Sequence, residues 1–157
     1  MSKNAPKLDL KLAHRYFAAN CFNETWTFIE KPDRSEADNE QMLFTALASY
    51  WHWTQRDDIT DKNHSIGRWQ LARVYALVGD SDEAKKHGEK SLAYAEGTSP
   101  FFIAYGHEAI ARAAIVGGDK ETAKHHLAEA RKLCEAITDA EDMKLIEPDL
   151  AELESQV

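Results

Sequence analysis

Cysteine is scarce in this chain. The 157 residues hold two, Cys21 and Cys134. They are far apart and in no spacing that suits a zinc ligand set or a redox pair. A disulfide framework is excluded, and reduced, cytoplasmic surroundings are the expectation. Positive charge is also short: 19 Lys and Arg stand against 27 Asp and Glu, a net charge of −8. A non-specific nucleic-acid binder needs a basic stripe to displace counterions from phosphate, so that class is excluded. Docking on an anionic membrane surface is disfavoured for the same reason. No apolar run approaches the ~20 residues that span a bilayer. Charges spread through Met1 to Leu12 leave no apolar core of the kind a secretory leader has. Glycine (7) and proline (4) are few, and they fall between apolar-periodic stretches, where they separate helices. Period-2 alternation is not sustained anywhere, so strands are not expected.

What is present is a repeat. Leu71-Ala72-Arg73, Tyr75, Gly79-Asp80 and Glu83-Ala84 are followed, 39 residues on, by Ile110-Ala111-Arg112, Ala114, Gly118-Asp119 and Thr122-Ala123. A fixed period of this size is the signature of stacked helical hairpins. The spacing predicts about seven helices. The first runs over Leu8–Ile29, closed by Pro32. Ser35 and Asp38 cap the second, which ends near Arg56. A polar loop covers Asp57–Asn63. The third covers His64–Val78, with Gly79 as a left-handed stop. The fourth runs from the Asp80/Glu83 cap to Glu96. The fifth opens at Ser99-Pro100 and ends at Gly117-Gly118, and the sixth runs from Asp119 to Ala136. The seventh starts near Asp139 and is broken or kinked at Pro148.

Leu71, Ala72, Tyr75, Gly79, Asp80 and Ala84 resemble the tetratricopeptide-repeat (TPR) pattern. So do Ile110, Ala111, Gly118, Asp119, Ala123, Leu127 and Ala130. Small residues let paired helices approach and glycine permits the turn. The chain departs from the pattern at Arg68 and His107, where the family prefers Trp, at Gly88 and Ala114, where it prefers aromatics, and in its period of 39 rather than 34. The resemblance implies an all-α, right-handed superhelical stack of antiparallel hairpins. It would form a single domain over 1–157: a divergent first hairpin (1–63), two repeat-like hairpins (64–136) and a C-terminal capping helix (137–157). In the first hairpin Leu12-Ala13 and Tyr16 match a repeat's first helix best.

The family lines a concave groove with the first helix of each hairpin. By resemblance, Ile66, Trp69, Arg73 and Leu77 face that groove from helix three. Tyr105, Glu108, Arg112 and Ile115 face it from helix five. The i, i+4 spacing of Trp69 with Arg73 and of Glu108 with Arg112 puts each pair on one helix face. Two matched arginines are then able to converge on one carboxylate. The same spacing also suits a structural Glu108–Arg112 pair, with Arg73 covering a seam. Helix two is apolar on every side, which normally means burial. It embeds Ser49 and His52 beside Trp51 and Trp53, as hydrogen-bonded core residues or as pocket residues. Asn20 and Asn23 need hydrogen-bond partners if buried.

Catalytic and metal signatures fail. His107-Glu108 begins a zinc-protease motif, but Ala111 stands where the second histidine belongs. His125 and His126 point about 100° apart on a helix. Glu83/His87 and Glu121/His125 read as surface ion pairs. No catalytic residue, metal or cofactor is assigned. The leading expectation is a non-enzymatic module holding a protein or peptide in the groove, with Arg73 and Arg112 as carboxylate anchors and Trp69 and Tyr105 as apolar contacts. The first alternative is a small-molecule pocket or unrecognised enzyme walled by Trp51, Trp53 and Trp69, with His52, Glu108 and Arg112 as polar groups. The second is a self-associating structural protein, as a homodimer through helix two.

Overall fold

The computed structural model describes residues 7–157. The leader reading of Met1–Leu12 therefore lies partly outside the described residues. Among these residues the secondary structure is helical, with seven helices and no strand. They are α1 (Leu10–Ile29), α2 (Glu36–Thr54), α3 (Asp61–Leu77), α4 (Ser81–Ala95), α5 (Pro100–Val116), α6 (Lys120–Cys134) and α7 (Ala140–Glu154). Consecutive helices from α1 to α7 pack on one another, and α5 also packs against α3 and α7. Among the described residues no helix is long and apolar enough to cross a membrane.

Two turns that lie 39 residues apart in the sequence are built alike. Gly79 and Gly118 have φ of +85° and +78°, the left-handed region where a side chain is strained. After α3 the Gly79 amide donates to Ala76 O (3.1 Å) and the Asp80 amide to Tyr75 O (2.9 Å). After α5 the Gly118 amide donates to Ile115 O (3.1 Å) and the Asp119 amide to Ala114 O (2.8 Å). This bond pair is the Schellman arrangement that satisfies otherwise orphaned helix carbonyls. The next residue in each copy then caps the following helix: Asp80 accepts from the Glu83 amide and Asp119 from the Thr122 amide.

Three sequence expectations need correction. Helix three starts at Asp61, because Thr60 and Asn63 form a reciprocal capping box; the second half of the expected loop is its first turn. Helix seven is not broken at Pro148 but runs through it. In the first hairpin Leu12 and Tyr16 are exposed, whereas Leu71 is buried. The register of α1 therefore differs from that of α3, and Ala18 and Thr25 are the residues α1 buries.

Two larger apolar clusters hold the helices together, with a small alanine cluster of Ala76, Ala84 and Ala113 between them. Met42, Ala46, Tyr50, Leu71 and Val74 join α2 to α3. Leu127, Ile146, Leu150 and Leu153, with Ala104, Ala111 and Ala130, join α5, α6 and α7. Glycine permits the closest approaches. A Cβ on Gly106 would lie 2.7 Å from the Leu92 Cα, and one on Gly67 would overlap the Tyr50 ring. These two glycines are 39 residues apart, a match to the period that joins those of the turns. Buried hydroxyls and amides are satisfied across the seams. Ser49 donates to Ala18 O (2.8 Å), Gln70 to Phe22 O (3.0 Å), and Ser65 and Ser91 to each other's carbonyls.

Candidate functional site

Sidedness decides what α3 and α5 present. The buried residues of α3 pack on α2 and α4 and those of α5 on α4, α6 and α7, and Ile66, Trp69, Arg73 and Tyr105 are left to one shared cleft. These four line a cleft of about 420 Å³ together with Phe22 and Trp26 of α1, Phe101 and Phe102 of α5, and Leu145 and Asp149 of α7. Its aromatic rings form a continuous wall: Trp26 to Trp69 (5.7 Å between centroids), Trp69 to Tyr105 (5.0 Å) and Tyr105 to Phe101 (5.1 Å). Edge-on and tilted contacts of this kind are the favoured geometry of neighbouring rings. The Arg73 guanidinium lies over Trp26 and Trp69, at 5.4 and 5.8 Å.

The two repeat arginines do meet on a carboxylate, and it is the chain's own. Arg73 Nη1 lies 3.1 Å from Asp149 Oδ1, and Arg112 Nη2 lies 3.8 Å from the same oxygen. Tyr105 donates its hydroxyl to Asp149 Oδ2 at 2.9 Å. Burial pushes the Tyr105 phenol well above its ordinary range, and the carboxylate it donates to adds to the rise. α7 thus crosses the face presented by α3 and α5. On its far side Leu77, Arg112 and Ile115 line a second, smaller hollow with Glu152 and Leu153.

Glu108 and Arg112 lie beneath the cleft. Glu108 is fully buried and accepts from Trp69 Nε1 (2.8 Å) and Arg112 Nε (2.8 Å). Burial works against the Arg112 charge, but Glu108, with Glu152 and Asp149 behind it, more than offsets this and keeps the guanidinium protonated. Of the two uses open to the Glu108–Arg112 spacing, the structural ion pair is the one formed. It also fixes the Trp69 ring that walls the cleft.

The residues of helix two stand elsewhere. Ser49 is buried in the α1–α2 seam. His52 places Nδ1 2.8 Å from His14 Nδ1 and stacks on Phe17. Its basicity is lowered by burial and by the neighbouring imidazole. Trp53 lines a hollow of about 150 Å³ with Ala19, Phe22, Asn23, Asn63 and Ile66, and the Arg56 guanidinium covers its ring at 4.1 Å. The two hollows share Phe22 and Ile66, so Trp53 borders the cleft's neighbour. His52 and the exposed Trp51 pack with His14, whereas Glu108 is bound to Trp69. Helix two is not buried all round either: Phe44, Leu47 and Trp51 are exposed. Asn20 and Asn23 are exposed and need no protein partner.

Sequence reasoning misread a second repeat-matched constellation. His87 is buried, with its Nδ1 3.0 Å from Arg68 Nη1; it is not on a solvated face. The equivalent pair one repeat later is His107 with His126, Nδ1 to Nδ1 at 2.8 Å. The first pair joins α3 to α4 and the second joins α5 to α6. Burial holds His87 down at about 4, with Arg68 adding to the effect, and His126 at about 4, with His107 adding to it. The signal was available: Arg68/His107 and His87/His126 obey the 39-residue period. Asp149 was missed because it belongs to no repeat, and nothing in its neighbourhood marks it. Among the described residues, no group of three or more His, Cys, Asp or Glu side chains is arranged to hold a metal ion. The chain matches no protein-family model, no curated protein and no solved structure.

Proposed function

We propose that this chain is a non-enzymatic binding module built as a divergent tetratricopeptide-like superhelix, and that its cleft receives a protein or peptide segment. The observation that carries the reading is the apolar cleft of about 420 Å³ walled by aromatic rings from three helices. Its size suits one or two large side chains, and its chemistry, apolar with a few placed polar groups, is that of a ligand site. Aromatic residues and arginine are the usual energetic anchors of interfaces. Trp69, Tyr105, Phe101 and Phe102 supply the apolar contact. Arg73 is the polar group at the edge, because its guanidinium is shared between Asp149 and the ring faces. Arg112 supports the site from below and does not contact the ligand. The stacked form of the module is supported by the two turns, whose hydrogen bonds and left-handed glycines recur at the repeat interval.

Selection of a random peptide library on the immobilised protein tests this. Wild type is expected to enrich peptides that share a large apolar or aromatic residue, and Ile66→Asp with Phe102→Asp to enrich none while keeping its helical content. Failure of the wild type to enrich any sequence, or equal enrichment by the cleft variant, sinks the proposal.

A further inference from the structure

The two ends of the stack are finished differently. At the C-terminal end α7 buries Ile146, Leu150 and Leu153 against α5 and α6. At the other end no described residue covers the outer face of the α1–α2 hairpin. Leu10, Tyr16, Phe17, Phe44, Leu47 and Trp51 are each between 40% and 62% exposed. They form one surface. Phe44, Leu47 and Trp51 fall at i, i+3 and i+7 on α2, and Leu10 and Phe17 are i, i+7 on α1. Ring contacts tie the stripes across the seam, Trp51 packing on His14 at 5.3 Å and Phe17 on His52 at 5.3 Å, and within α1 Tyr16 packs on Phe17 at 5.2 Å. The terminal unit of a repeat stack needs a polar outer face to stay soluble alone, and this one has the opposite.

We propose that this face is an interface on which two copies of the chain pair about a two-fold axis. Area is the first argument. At these exposures the six side chains leave on the order of 650 Å² of apolar surface in water, taking roughly 150–250 Å² for a whole large side chain. A monomer's largest apolar patch is about 300–600 Å², and a standard interface takes about 800 Å² from each partner. The patch is therefore at the upper end of what a monomer ordinarily leaves uncovered and amounts to most of one partner's share of a standard interface. The second argument is charge. None of the six carries a formal charge, so a copy of the same face brings no like-charge clash at the centre. Glu24 near the end of α1 and Glu40 near the start of α2 lie at the same end of the hairpin. An antiparallel two-fold pairing puts those ends apart, whereas a parallel one would bring them together. Isologous pairing of this kind closes at two copies and leaves the cleft on the other side of α1 accessible in both.

Sedimentation of the full chain over a range of concentrations tests the pairing. The wild type is expected to reach twice the monomer mass by tens of micromolar. Phe44→Glu with Trp51→Glu is expected to remain monomeric at the same concentrations. Leu10→Glu with Leu47→Glu is a second disrupting pair, in case the first perturbs folding. Val116→Glu, exposed at the other end of the stack, is expected to dimerise like wild type. A monomeric wild type overturns the proposal, as does a dimer that survives both disrupting pairs with unchanged helical circular dichroism, or one that Val116→Glu abolishes.

Discussion

Replacing Arg112 by methionine keeps most of the side-chain volume and deletes one charge from a buried pair. Glu108, fully buried, would retain a single donor, Trp69 Nε1 at 2.8 Å. Removing one partner of a buried ion pair costs about 3–5 kcal/mol, because the remaining charge is left uncompensated. With a urea m-value of about 2 kcal/mol/M, the unfolding midpoint should fall by about 2 M. The reciprocal change should be milder. Glu108→Gln leaves Arg112 beside Glu152 (3.6 Å) and Asp149 (3.8 Å) and keeps an acceptor for Trp69, so the loss is about 1–2 kcal/mol. Arg112→Met combined with Glu108→Gln should recover most of the loss, to within about 1 kcal/mol of the milder single variant. Urea unfolding followed by tryptophan fluorescence and circular dichroism gives all four corners of the cycle. An Arg112→Met loss below about 1 kcal/mol, or a double variant no better than Arg112→Met alone, would refute the reasoning that this pair is structural.

Acid should destabilise the fold before the carboxylates titrate. His87 is held at about 4 in the folded state against about 6.5 unfolded, so the unfolded chain binds the extra proton. Its contribution is present above pH 6.5 and is lost as pH falls towards 4, about 2 kcal/mol of it between pH 7 and pH 5. Unfolding midpoints of wild type and His87→Gln over that range check this; parallel slopes would count against it. Gly106→Ala should cost about 1–3 kcal/mol, because its Cβ meets Leu92 backbone. Gly97→Ala, with no neighbour within 4 Å, should be neutral or slightly stabilising, and equal thermal shifts for the two would contradict the packing account. Asp149→Ala should leave α7 docked through its three buried apolar residues while freeing Arg73 and Tyr105. Acetate, at matched ionic strength with chloride, should then raise the melting temperature of the variant more than that of wild type, and no difference between the two would refute the assignment of Asp149.

Much of the architecture was legible because turns are local. Gly79-Asp80 and Gly118-Asp119 carry their conformation in two residues, and the 39-residue interval announces their equivalence. Helical spacing put Trp69 with Arg73 and Glu108 with Arg112 on one helix face each; of the wider set that the resemblance implies, Ile66, Trp69, Arg73 and Tyr105 line the cleft, while Leu77, Arg112 and Ile115 line another hollow. Errors arose where the outcome depends on what lies opposite. A Glu–His pair at i, i+4 looks solvated until Arg68 on the neighbouring helix is placed against His87. Helix two looks buried on all sides because its apolar residues are continuous, yet only one side meets α3. Asp149 was invisible as a partner of Arg73, being 76 residues away and outside the repeat.

The carboxylate that α7 lays between Arg73 and Arg112 is tethered to the surface it occupies. A tethered group competes at an effective concentration of millimolar or more, whatever the solution contains. A free acid of weak affinity will not displace it. On the proposed reading, a segment entering this cleft must either leave Asp149 in place and recognise the aromatic wall alone, or bring enough apolar contact to outcompete a rival that never diffuses away. If the proposed binding role holds, selectivity for bulky side chains over mere negative charge follows from where one helix comes to rest.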